Sequence, residues 1–141
     1  MAKLERLGFR DLTYSRWRRQ PSMERFIDKG RVWKMTYCDL DAIDYCPCCC
    51  QPLLLIETAR DVGQHYKDTR VLEALAKRAD LPAALVFYLP DENEDIAQFR
   101  VRMIYPERGP EKIMTPQEYA EWLWSFREAH RCGSDGVHKR Y

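Results

Sequence analysis

The chain has 141 residues, 45% of them hydrophobic and 32% charged, with a net charge of +1. That is enough to bury one core, and too balanced for charge alone to name a partner. The longest uncharged apolar runs, "PLLLI" and "PAALVFYLP", are too short to cross a bilayer, and "MAKLERLGFRDL" lacks the apolar middle of a signal peptide, so a cytoplasmic, non-membrane protein is expected.

Residues 1–34 carry ten Lys and Arg against four Asp and Glu, interleaved with Phe9, Tyr14, Trp17 and Trp33. A basic, aromatic segment of this kind can follow a phosphate backbone, with Arg16, Arg18, Arg19 and Lys34 as candidate contacts. It can equally be a solvated face over buried aromatics. Residues 1–31 read as short helices and loops, with Ser22 capping a helix in "PSMERFID". From "RVWKMTYCDLDAIDY" the pattern turns extended, and Cys38 is expected in that strand as a small buried residue.

"CPCCCQP" is a turn between Pro47 and Pro52, and "LLLIET" is a strand apolar on both faces, as central strands of mixed sheets are. A helix follows, with Val71, Leu72, Leu75, Ala76 and Ala79 as its stripe. Its start is open between a box of Asp61 with Gln64 and the later caps Asp68 and Thr69. "AALVFYL" is another buried strand. "IAQFRVRMI" alternates Phe99, Val101 and Met103 against Arg100 and Arg102, as a strand with one wet face does. Thr115-Pro116-Gln117-Glu118 opens the last helix with a cap, a first-turn proline and a box glutamate, and Tyr119, Trp122, Leu123 and Phe126 form its stripe. The expected fold is one α/β domain over residues 1–141. A basic helical segment (1–31) precedes a core (32–128) with a mixed sheet of about four strands flanked by helices, and 129–141 form a tail.

On an extended strand Asp39 and Asp41 share a face, and Glu57 ends the neighbouring strand. If the two strands pair as a hairpin, Asp41 and Glu57 come together, where two carboxylates raise a pKa or recruit a hard cation such as Mg²⁺ or Mn²⁺. Solvated acids at strand ends are the plain alternative.

Cys46 and Cys49 form a C-x-x-C pair at the turn, and His130, Cys132 and His138 near the C-terminus offer the remaining ligands for zinc, Cys132 and His130 foremost. Reduced thiols are the competing reading. Cys48 and Cys50 are left over.

"DLDAIDY" followed by a turn and "PLLLIET" resembles the core of the PD-(D/E)XK nuclease superfamily, in particular its small phage and actinobacterial members. The similarity extends over roughly residues 14–128. It implies a restriction-endonuclease-like α-β-β-β-α-β core and a Mg²⁺- or Mn²⁺-dependent phosphodiesterase acting on DNA. A homodimer is expected, structure-selective in the manner of Holliday-junction resolvases. Carried over, Asp41 and Glu57 would bind the metal with the Thr58 carbonyl, and Asp39 would assist. The family's lysine two residues past the glutamate is Ala59 here. Within the superfamily that lysine migrates onto the following helix, which makes Lys67 the relocated catalytic cation and Gln64 a weaker water-orienting group. Two alternatives stay open: a catalytically silent relative that binds nucleic acid or protein, and a zinc-stabilised interaction module.

Overall fold

The computed structural model describes residues 10–132. The chain divides into two compact units, residues 1–39 and 40–141, where the sequence pattern suggested one domain with an internal boundary after residue 31.

Among the described residues the N-terminal unit holds three short helices, α1 (Thr13–Trp17), α2 (Gln20–Met23) and α3 (Lys29–Val32). Each is set by a local device. The Asp11 carboxylate accepts from the Thr13 amide ahead of α1, Pro21 lies in the first turn of α2, and Asp28 caps α3 by accepting the Arg31 amide at 3.0 Å. Ser22 is not a cap: it lies inside α2, and its hydroxyl donates to the Arg16 carbonyl at 3.2 Å. Around these turns Trp17 stands 6.2 Å from Tyr14 and 6.0 Å from Phe26, ring to ring. The strand expected from residue 32 does not start there. Val32 closes α3 and is buried, residues 33–41 are irregular, and Cys38 is exposed. The Asp28 cap overrides the β-preference of Val32 and Trp33, a preference that counts only where a partner strand waits.

The C-terminal unit is a sheet of five strands in the order β1-β2-β3-β4-β5. They are β1 (Ala42–Tyr45), β2 (Pro52–Arg60), β3 (Ala83–Pro90), β4 (Ile96–Tyr105) and β5 (Lys112–Met114). Helix α4 (Arg70–Ala79) crosses between β2 and β3, which pair in parallel, and the other neighbours are antiparallel. The mixed α/β class is therefore as expected, with β5 added to the expected four strands. Three residues long, β5 is too brief for an alternating pattern to announce it.

The parallel seam explains the two unbroken apolar runs, since β2 and β3 are covered on both sides. On one face Leu55, Ala83, Leu85, Phe87 and Ile104 pack with Leu72 and Ala76 of α4. On the other, Leu54, Ile56, Ala84, Val86 and Val101 meet Tyr119, Trp122, Leu123 and Phe126 of helix α5 (Pro116–Ala129). The stripe of α4 is narrower than its spacing suggested, because Val71 and Leu75 are exposed. The Thr115–Glu118 capping box of α5 forms in both directions, at 3.1 Å each way. Among the described residues no helix is long and apolar enough to cross a membrane.

Candidate functional site

The hairpin of β1 and β2 has chemistry at both ends. At its open end Ala42 lies opposite Ile56, so the residue before β1, Asp41, meets the stretch around Glu57 and Thr58. Asp41 Oδ2 accepts from the Thr58 amide at 2.8 Å and from the Thr58 hydroxyl at 3.2 Å. Glu57 shares the α4 face of β2 with Leu55 and Ala59.

Lys67 completes the group. Its Nζ donates to Glu57 Oε1 at 2.7 Å and to the Thr58 carbonyl at 2.9 Å, and lies 4.0 Å from Asp41 Oδ2. Asp41, Glu57, the Thr58 carbonyl and Lys67 are thus brought to one point. The lysine, however, is on a loop and not on a helix: α4 begins only at Arg70, with Thr69 at its cap position and Asp68 accepting the Arg70 amide. Asp61 and Gln64 form no capping box. Gln64 instead holds the loop to itself, accepting from the Val62 amide and donating to the Arg60 carbonyl, both at 2.8 Å, so its side chain is spent on the backbone. Asp39 falls in the N-terminal unit, where it forms an exposed ion pair with Arg10 at 3.3 Å.

The two carboxyls titrate apart. Burial raises Glu57, Asp41 raises it further, and Lys67 only partly offsets this, so Glu57 stays above the usual glutamate value. Burial also acts to raise Asp41. There the Glu57 side chain, the Thr58 amide and the Lys67 charge outweigh it, and Asp41 stays below its usual value. The pair thus holds one carboxyl above and one below the ordinary range.

A set of residues that period-two reasoning misassigns anchors the Lys67 loop. Arg100 is not on a wet face: it is buried, with its guanidinium 4.3 Å above the Phe87 ring. It donates to both oxygens of Asp61, at 2.9 and 3.2 Å, and to Glu111. Asp61 in turn accepts the Gly63 amide at 2.9 Å, and Gly63 sits at φ +82°, where a side chain is strained. The signal for this turn was present in "DVG", an aspartate two residues ahead of a glycine.

At the closed end, Cys46, Cys49, His130 and Cys132 place one ligand atom each within 4.8 Å of one another. Cys49 Sγ and His130 Nε2 are 3.2 Å apart. The turn is wound tightly by Cys46 N–H to Gln51 O (2.9 Å) and Cys50 N–H to Cys46 O (2.7 Å), with Cys50 in the left-handed region at φ +62°. Burial pushes the Cys46 thiol up, but the amides of Cys48 and Cys49 aimed at its sulfur, with its thiol neighbours, bring it down to about 7. Cys49 receives the Gln51 amide, yet burial and the neighbouring Cys46 and Cys132 sulfurs leave it raised. Three sulfurs and an imidazole of this kind can hold a metal ion with thiolate preference, zinc among them. Cys48 is buried beside the group and Cys50 is exposed, and none of the six cysteines is in a disulfide. His138 lies outside the described residues.

The four basic residues singled out from the sequence are all in the N-terminal unit, with Arg16, Arg19 and Lys34 exposed and Arg18 half-buried. Arg18 lies 5.2 Å above the Tyr37 ring. Arg18 and Arg19 also line a cleft of about 560 Å³ with Val32, Trp33, Met35 and Tyr37.

No family model matches the chain, and searches of curated proteins and of solved structures find no match to it either.

Proposed function

We propose that the C-terminal unit is a divalent-metal-dependent phosphodiesterase of the PD-(D/E)XK kind acting on DNA, with its centre at Asp41, Glu57, Thr58 and Lys67. The observation that carries this reading is the position of Lys67. A cationic group 2.7 Å from Glu57 and 2.9 Å from the Thr58 carbonyl marks a point where hard oxygens converge on positive charge. Two carboxylates and a backbone carbonyl are also the donors that Mg²⁺ or Mn²⁺ takes while keeping several of its waters. When bound there, the ion would neutralise charge developing at phosphorus and ease ionisation of a water. Asp41 and Glu57 would hold it. Thr58 keeps Asp41 aimed by two hydrogen bonds to Oδ2. Lys67, whose ammonium itself occupies the Glu57 and Thr58 oxygens here, would give them up to the ion and then orient a water beside the phosphate, in place of the lysine absent at Ala59. Arg16, Arg18, Arg19 and Lys34 serve DNA backbone contacts in this reading, and the working form is a homodimer.

The test is DNA cleavage with Mg²⁺ or Mn²⁺ across branched and linear substrates. Glu57→Ala is expected to abolish it, and Lys67→Ala to slow it roughly 10²-fold or more. Cutting that persists in Glu57→Ala would remove the site assignment.

A second reading has its own support. Lys67 already offsets part of the acidic charge without any ion, while the Cys46, Cys49, His130 and Cys132 ligand atoms stand within coordination range. On that reading the chain is a zinc-stabilised interaction module, or a silent nuclease relative, and the acids are structural. Absence of divalent-dependent cleavage from a zinc-loaded preparation would favour it.

A further inference from the structure

We propose that zinc at Cys46, Cys49, His130 and Cys132 sets the register of the β1–β2 hairpin and thereby delivers Asp41 to Glu57. The inference rests on the zinc reading of those ligands and is independent of whether the acidic centre cuts DNA.

β1 has little of its own to fix its register. It is an edge strand of four residues, and its pairing with β2 is already irregular between Asp44 and Tyr45. Ile43 and Tyr45 are 50% and 58% exposed, and Ala42 is the strand residue that packs into the core, against the α5-side cluster. In such a strand a slip of one residue turns every side chain to the opposite face. That slip would take Asp41 away from the Thr58 amide and from Lys67.

The turn that closes the hairpin is better determined, provided its sulfurs are tied down. Cys46 is the first residue after β1, and its amide bonds Gln51, the residue before β2. The other half of the ligand set comes from outside the hairpin. His130 is the C-cap of α5, and Cys132 follows two residues on. Helix α5 is held to the sheet by Tyr119, Trp122, Leu123 and Phe126. An ion bridging the two pairs therefore fixes the hairpin tip to a packed helix. From the tip to Asp41 is about five residues of extended chain, on the order of 16 Å. A strand that short, pinned at one end, transmits its register to the other.

The Thr58 amide, bonded to Asp41 Oδ2, is a natural reporter. The experiment compares wild type as purified, wild type stripped by a chelator and reloaded with Zn²⁺, and Cys132→Ser, which leaves the hairpin sequence intact. Metal content and the thiolate-to-metal and ligand-field bands of the Co²⁺-substituted chain report the site. Amide hydrogen exchange at Ile56, opposite Ala42, and at Thr58 reports the register, since the intervening Leu55 amide is turned the other way, to Pro82 ahead of β3.

We expect one equivalent of zinc, loss of the Co²⁺ bands in Cys132→Ser, and exchange at Ile56 and Thr58 roughly tenfold or more faster without metal, restored by reloading. A chain that binds no zinc, or a cobalt spectrum unchanged by Cys132→Ser, overturns the metal site. Normal binding with unchanged exchange, or a loss of protection spread evenly over β2 to β4, overturns the register assignment. If Cys132→Ser does not fold, the strip-and-reload comparison decides alone. Failure of the nuclease reading would show separately, as absent DNA cleavage with this exchange pattern intact.

Discussion

Lys67 stands at this centre where the sequence suggests it only through a resemblance. Ala59 faces the same side of β2 as Glu57, so a lysine there would enter the centre from the strand itself. Lys67 enters from the loop, ten residues beyond Glu57, and reaches the same oxygens. Its removal should be felt as a pH effect. Lys67 lowers both Glu57 and Asp41, so in Lys67→Ala both carboxyls are expected to protonate at higher pH than in the wild type. Values raised relative to the wild type mean that ionising the pair costs the variant more stability than it costs the wild type. The stability lost in Lys67→Ala should therefore be largest near neutrality and fade as the pH falls and the pair is protonated. Urea unfolding midpoints followed from neutral to acid conditions measure this, and a pH-independent loss would refute it. The double variant Lys67→Ala with Ala59→Lys should recover part of any cleavage activity, because it restores an ammonium on the face that Glu57 occupies.

Elements differ in how plainly the sequence foretells them, and the physics of each says why. β2 and β3 stand out because a parallel pair covered on both faces must be apolar without interruption, and "LLLI" and "ALVF" are. The start of α5 is legible because Thr115, Pro116 and Glu118 each have one local job and perform it. β1 is shorter than its pattern suggests, since aromatic and β-branched residues at 32–37 belong to a short helix and an irregular segment with their own local contacts. Arg100 misleads for a different reason. Alternation tells which face a side chain takes but not what covers that face, and Asp61 and Glu111 arrive from outside the strand. The Cys46, Cys49, His130 and Cys132 grouping is legible as ligand chemistry. That α5 carries the second pair to the hairpin tip is a matter of tertiary packing. The contrast between cap and core can be measured. Thr115→Ala should cost about 1 kcal/mol, the usual worth of an N-cap oxygen. Leu54→Ala, at a fully buried position in the sheet, should cost about 2–5 kcal/mol. Equal losses in chemical denaturation would contradict the assignment of α5 as a surface element held by its own cap and stripe.

The whole molecule is electrically lopsided. Residues 1–39 contain ten Lys and Arg against five Asp and Glu, while residues 40–141 contain thirteen against seventeen. The net +1 hides two opposite charges. A polyanion is expected to be gripped by the N-terminal unit and repelled on average by the unit that carries the acidic centre. Replacing Arg18 and Arg19 together by Ala should weaken DNA binding and flatten its salt dependence, by about one logarithmic unit of slope for each phosphate that is no longer neutralised. Anisotropy titrations at several salt concentrations, with a chelator present, would reveal this, and an unchanged slope would exclude both arginines from the phosphate-binding set.

The ligands of the Cys/His group also lie far apart along the chain, with Cys49 and His130 separated by 81 positions. All of β2 to β5 and both long helices fall inside that interval. An ion gripping both ends would thus tie a knot around nearly the entire sheet in the denatured coil as well, for as long as the thiolates kept hold. Chain statistics put the lost disorder of so large a ring on the order of 4 kcal/mol, by analogy with a covalent crosslink of similar span. That sum is comparable with the whole margin by which many small proteins stay folded.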